Sequence, residues 1–231
     1  MVEIIPAILP TSFDDLKKRL ERIRAVARRV QVDIVDGRYV RGKTWPYKDR
    51  TGFESAVDAG GGLPLWDEID YEFDLMIEDP GADAQSFARA GASRIVIHAR
   101  SPSALQAVGQ LVDMREESGA FTIQVGVALG PQEQPDMLEP LEAQFDFVQV
   151  MGIDREGRQG EPFDRHALYL LERLRRRYPL LPLQVDGAVT MENAHALAAV
   201  GASRLIVGHA LWEADDIAAA YVDLSKEANR P

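Results

Sequence analysis

The chain contains no cysteine, and that absence excludes disulfides, thiolate zinc sites, iron-sulfur clusters and cysteine nucleophiles together. Chemistry is left to carboxylates, the four histidines, lysines and the backbone. No apolar run approaches the roughly 20 residues of a membrane span. The opening MVEIIPAILP lacks the basic segment, apolar stretch and small-residue cleavage site of an export signal. The expected location is therefore the cytoplasm, with no membrane partner. Positive charge is also in deficit, with 26 Lys and Arg against 37 Asp and Glu for a formal net charge of -11. Such a surface repels a phosphate backbone, so nucleic acid is not an expected partner. Helix-borne basic clusters such as Arg173, Arg175, Arg176 and Arg177 read as the solvated face of a helix.

What remains is ordinary for a globular protein, 46% hydrophobic and 27% charged residues. Short runs rich in Val and Ile recur between longer amphipathic stretches: 3–9, 30–35, 71–76, 94–98, 122–129, 145–151, 182–186 and 204–207. Several are nearly continuously apolar rather than alternating, as expected when helices cover a parallel sheet. Eight repetitions of β then α favour a closed (β/α)8 barrel over a doubly wound sheet. Such a barrel needs roughly 250 residues, so residues 1–231 are read as one barrel domain, with a long insertion at about 37–70.

Local punctuation agrees. Ser12 with Asp15 resembles a capping box, and Leu16, Leu20, Ile23 and Ala27 fall on one helical face. Two segments nearly repeat, Ala90 to Ile97 and Val200 to Val207, each with a glycine suited to a left-handed helix end before a buried strand. The insertion carries Gly60, Gly61, Gly62 and Pro64 and is expected to hold a short helix and a mobile loop, either a lid or a passive excursion. Its Trp45, Tyr47 and Trp66 are expected to be exposed, as a subunit contact, a substrate cover or loop packing.

Barrel active sites form at the C-terminal ends of the strands. There Asp33, Asp74 and Asp186 each stand within an apolar run. A buried carboxylate needs a cation, a hydrogen-bond partner or a raised pKa. One such aspartate would be read as a loop or helix cap, but three at corresponding positions point to a shared site.

At these residues the chain resembles the ribulose-phosphate 3-epimerase family, from Ile5 to about Asp216. Pro6-Ala7-Ile8-Leu9 resembles its opening Pro-Ser-Ile-Leu, and Asp33-Ile34-Val35-Asp36-Gly37 its Asp-Val-Met-Asp-Gly. The segment from Asp74 to Pro80 follows its His-Leu-Met pattern, Gly126-Val127-Ala128-Leu129 its Gly-Val-Ala-Leu, and Val185-Asp186-Gly187 its Val-Asp-Gly-Gly. The resemblance implies that Asp33 and Asp186 are the acid and base, and that a divalent metal is held by two aspartates and two histidines. Those histidines are replaced here by Gln31 and Asp74, and Ala7 replaces a serine beside the reacting carbon. His98 is family-like but does not match a metal ligand. The altered set Gln31, Asp33, Asp74 and Asp186 is all oxygen. It suits magnesium, manganese or calcium better than zinc or iron. Without a metal, at least one carboxylate takes up a proton, or a cationic ligand supplies the charge.

The resemblance also implies a phosphate site after strands six to eight, formed here by Gly157, Gly160, Gly187, Gly208 and His209, with Met76 and Met151 beside the substrate. Ala188 and His209 depart from the family's glycine and serine, and Arg155 or Arg158 either supplies a direct charge or is an exposed loop arginine. The implied activity is epimerisation beside a ketone of a phosphorylated sugar, of the ribulose 5-phosphate to xylulose 5-phosphate type, in a homo-oligomer. The alternatives are a related barrel lyase, decarboxylase or isomerase, and a barrel without catalysis that binds a ligand or partner.

Overall fold

The computed structural model describes residues 1–50, 52–54, 62–118, 123–154, 156–157 and 160–231. Eight strands, β1 (Glu3–Ile8), β2 (Arg29–Val35), β3 (Asp70–Met76), β4 (Ala92–His98), β5 (Gln124–Leu129), β6 (Phe147–Met151), β7 (Leu183–Asp186) and β8 (Arg204–Val207), follow one another around a closed barrel. Every pairing is parallel, including β1 with β8. Parallel strands need crossovers. These are built from α1 (Phe13–Ile23), α2 (Pro80–Arg89), α3 (Ala104–Ser118), α4 (His166–Arg177), α5 (Met191–Val200), the short α6 (His209–Trp212) and α7 (Ile217–Ala228), with a 3-10 turn at Pro135–Leu141. Among the described residues no helix is long and apolar enough to cross a membrane.

Strand alternation sorts the side chains. Val30, Val32, Ile34, Phe73, Leu75, Ile95 and Ile97 join the large core between strands and helices. Leu16, Leu20 and Ile23 of α1 are fully buried in that core, each worth roughly 2 kcal/mol by area. The inward residues form two small apolar clusters, Val96 with Ala128, Phe147 and Met151, and Ile5 with Ala7 and Ile206. Gly126 makes room for the first: a Cβ there would lie 2.4 Å from the Phe147 ring.

The rest of the interior is polar. Toward the N-terminal end, Glu72 accepts hydrogen bonds from Gln184 Nε2 at 2.7 Å and Arg94 Nη1 at 3.4 Å, and Arg204 donates to Gln184 Oε1 at 3.1 Å. Gln184 Nε2 also reaches Gln149 Oε1 at 2.6 Å, and Gln149 Nε2 donates to Asp74 Oδ2 at 3.0 Å. A side-chain thread therefore runs from the barrel floor to its mouth.

Several local expectations change. Ser12 Oγ accepts from Asp15 N–H, but the Asp15 carboxylate turns to Thr11 N–H and Oγ1, so the cap is one-sided. Trp45 is fully buried, not exposed. Its ring lies 5.5 Å from those of Phe13 and Phe53, and it tethers the loop after β2 to the core. Tyr47 is half-buried, donating to Asp83, and only Trp66 is exposed, at 66%. Arg175 is not simply solvated: it donates to the carbonyls of Tyr178, Pro179, Leu181 and Gly201, closing the C-terminal end of α4. Gly91 and Gly201 do take positive φ, +103° and +119°. Gly60, Gly61, Arg155 and Arg158, and with the first two the tip of the expected lid, lie outside the described residues.

Candidate active site

The parallel register places Asp33 of β2 directly beside Asp74 of β3. Asp186 ends β7, paired with Ile206 of β8. All three carboxylates face the barrel axis, and an oxygen from each falls within 4.8 Å of the others. Asp74 is fully buried, while Asp33 and Asp186 retain 5% and 8% exposure at the floor of a cavity of about 240 Å³.

Gln31, one pleat below Asp33, bridges the two members that reach the cavity: its Nε2 donates to Asp33 Oδ1 and to Asp186 Oδ2, both at 2.8 Å. Asp74 is held differently, by Gln149 and by His98 Nε2 at 2.8 Å. His98 Nδ1 faces Glu156 Oε2 at 3.5 Å, and Glu156 pairs with Arg100 Nη2 at 3.1 Å.

These contacts decide where protons sit. Burial drives the Asp33 carboxyl well above its ordinary range, and the neighbouring Asp186 and Asp74 charges raise it further against the Gln31 bond. Burial and the Asp74 charge push Asp186 up to about 8, opposed by the Gln31 bond and His98. Burial alone would lower His98, but Asp74 and Glu156 on either side outweigh it and lift the imidazole to about 9. At neutral pH His98 is therefore a buried imidazolium, and Asp33 and Asp186 hold at least one proton between them.

The oxygen set also fits a cation. Three carboxylates converge, and Gln31 Oε1 is buried without a hydrogen-bond partner. Turning the amide over would direct that oxygen at the carboxylates in place of Nε2. Asp33, Asp74 and Asp186 could thus hold an ion, of the hard type that prefers oxygen.

The cavity brings together the remaining expected residues. Ala7, Met76 and Met151 line its inner wall, and Gly157, Gly160, Gly187, Gly208 and His209 its outer wall. Gly187 takes φ +105°, and a Cβ there would meet Ile153 at 2.9 Å. Ala188 occupies the left-handed region at φ +52°. Glu161 and Thr190 also line the cavity and were not foreseen. The unforeseen ion chain His98–Glu156–Arg100 had half a signal, because alternation from Val96 turns His98 inward, but nothing in the linear pattern marked Glu156.

Comparison with known proteins bears on the family and the fold. The ribulose-phosphate 3-epimerase of Schizosaccharomyces pombe is 27% identical over 213 residues, 92% of this chain and 87% of the relative. That of Bacillus subtilis is 28% identical over 224 residues, 94% of each chain. Among solved structures, a 3-hexulose-6-phosphate synthase superposes with a TM-score of 0.69 at 18% identity, covering 98% of this chain and 99% of the other. A 3-keto-L-gulonate-6-phosphate decarboxylase from Vibrio cholerae gives 0.71 at 12% identity over 99% and 98%. At those identities the likeness is one of fold. The sequence model for the ribulose-phosphate 3 epimerase family matches residues 3–212, nearly the whole barrel, and the chain belongs to that family.

Proposed function

We propose that the chain inverts a carbon next to a ketone in a phosphorylated sugar, with Asp33 and Asp186 exchanging acid and base roles. The observation that carries this reading is the Gln31 bridge. One amide holds both carboxylates at 2.8 Å on a cavity floor, where burial keeps a proton on the pair.

Epimerisation removes an acidified proton from one face and returns one to the other. A pair that shares one proton has both functions ready at neutral pH. The ionised member takes the proton and the protonated member gives one back, so the pair ends with its charge unchanged. With its Nε2 turned to the pair, Gln31 fixes the spacing of the two oxygens. Ala7, Met76 and Met151 present apolar surface that keeps water from the carbanion-like intermediate. The backbone around Gly157, Gly160, Gly187 and Gly208, with His209, receives the phosphate. Asp33, Asp74, Asp186 and Gln31 would hold a magnesium, manganese or calcium ion. When bound, such an ion supplies positive charge for the enediolate oxygens.

Proton NMR of D-ribulose 5-phosphate in heavy water tests the reading, with the protein metal-stripped and then supplied with magnesium or manganese. The expected result is deuterium at carbon 3 with xylulose 5-phosphate appearing, slowed about 100-fold or more in Asp33→Asn and Asp186→Asn. Turnover by both variants at the parent rate would remove the two aspartates from the mechanism. No exchange by the parent under any condition would refute the epimerase reading.

A further inference from the structure

The substrate cavity is short of positive charge. Its described lining carries the carboxylates Asp33, Asp186 and Glu161 but no Lys or Arg, and His209 is its one basic side chain. A phosphate ester brings about 1.5 to 2 further negative charges at neutral pH, on a chain whose formal net charge is already -11. Backbone N–H groups can receive that phosphate, but they offer only partial charges.

Full charges stand just outside, on the loop after β2. Arg38, Arg41 and Lys43 are all exposed, and among the described residues none of them has an ion pair or a side-chain hydrogen bond. Arg38 and Arg41 line a second, open cavity at the barrel mouth, opposite Asp154 and Glu156. Glu156 is already matched, lying between Arg100 at 3.1 Å and His98 at 3.5 Å, so Asp154 is the one carboxylate there set against the loop cations. The Lys43 stem runs beside Gly37, which lines the same cavity: a Cβ on Gly37 would lie 3.1 Å from Lys43 Cγ and Cε.

The two cavities share no described lining residue and meet at a wall. A Cβ on Gly157, one of the glycines given above to the phosphate, would lie 2.6 Å from Val40 Cγ2. Val40 sits in the chain between Tyr39 and Arg41, so the loop cations stand behind the phosphate end of the substrate cavity, outside it. A low-dielectric wall transmits a field that water would screen.

The loop is held in this position. Asp36 is buried and accepts from the backbone N–H groups of Arg38 and Tyr39 at 2.7 and 3.0 Å through Oδ1, and from Glu78 N–H through Oδ2. Thr44 closes the far end, accepting from Val35 N–H and donating to the Asp33 carbonyl. None of these bonds uses the side chain of Arg38, Arg41 or Lys43.

We infer that Arg38, Arg41 and Lys43 supply the counter-charge for the substrate phosphate, drawing the anion into an otherwise acidic mouth and stabilising it across the Val40–Gly157 wall. The inference rests on the sugar-phosphate reading above and assigns that site its specificity for an anionic sugar. The three residues act through their field and not by contact.

Calorimetric titration with D-ribulose 5-phosphate tests this at an ionic strength of about 0.01 M, where the Debye length is about 30 Å, and at about 1 M, where it is about 3 Å. The triple variant Arg38→Gln/Arg41→Gln/Lys43→Gln is expected to bind about tenfold more weakly than the parent at low salt and equally at high salt. Arg38→Lys/Arg41→Lys is expected to keep the parent affinity, because a field needs the charge and not the planar fork of arginine. A triple variant that matches the parent at low salt, or a deficit that persists at high salt, overturns the inference and leaves the sugar-phosphate reading intact. So does a Lys variant as weak as the Gln variant. Binding by the parent without turnover would refute the epimerisation and leave the counter-charge standing, whereas no binding by the parent at low salt would overturn both.

Discussion

The two ends of the barrel interior handle buried charge in opposite ways. At the floor, Glu72 is fully buried but set against Arg94 and within reach of the Arg204 charge, with Gln184 bonded to both Glu72 and Arg204. At the mouth, Asp33, Asp74 and Asp186 crowd within 4.8 Å with His98 as the buried cation in direct contact. The floor joins opposite charges and the mouth gathers like ones. Like charges in a low dielectric oppose folding, so a fold retains them where chemistry uses them.

The largest expected effect comes from removing one carboxylate at each end. Glu72→Gln removes the buried carboxylate beside Arg94 and Arg204, leaves Arg94 only Glu3 at 3.9 Å, and should lower the unfolding free energy by about 3 kcal/mol. Asp74→Asn relieves repulsion among the mouth carboxylates but strips His98 of a counter-charge, so its loss should be smaller. Urea denaturation of the two variants checks the order. If Asp74→Asn proves the more damaging, the mouth is not the strained end.

A smaller effect is expected from pH. Both Asp186 and His98 hold protons in the folded chain that the unfolded chain releases. The stability due to Asp186 declines as pH rises from its ordinary 3.8 to about 8. That due to His98 is complete below 6.5 and lost as pH rises through about 9. Between pH 6.5 and 8 both decline together, and the unfolding free energy from urea denaturation should fall by about 2 kcal/mol per pH unit, more than one proton alone would give. His98→Gln should flatten this slope. An unchanged slope would mean that the mouth histidine is not held as an imidazolium. Turnover should fall as pH rises past about 8, where Asp186 no longer carries a proton to return.

The smallest effect concerns the outer wall. Ala188 sits at φ +52°, where a Cβ costs about 1 kcal/mol. Ala188→Gly should therefore gain up to about that amount in thermal denaturation, less the entropy of the freer unfolded chain. A loss would show that the methyl group packs usefully against the cavity.

Much of this was legible before any coordinates. The apolar runs located all eight strands, with edges off by at most two residues where flanking residues such as Phe145 extended the pattern. The motifs around Asp33 and Asp186 marked two aspartates that the barrel brings to one cavity floor. Trp45 misled because glycine and polar neighbours make its loop look exposed, whereas α1 and Phe53 enclose it. The pairing of Arg175 with four carbonyls, like that of Glu156 with His98, depends on chain segments that meet only after the barrel closes.

By itself the sequence determined the α/β alternation, the eight strands and the aspartates on β2, β3 and β7, because periodicity and strand position are local properties of the chain. Only the tertiary structure decided that Gln31 joins Asp33 to Asp186, that His98 faces Asp74, and that Glu156 lies between His98 and Arg100. Proton sharing and ion pairing depend on distances of a few ångströms between residues up to 155 positions apart, and barrel closure sets those distances.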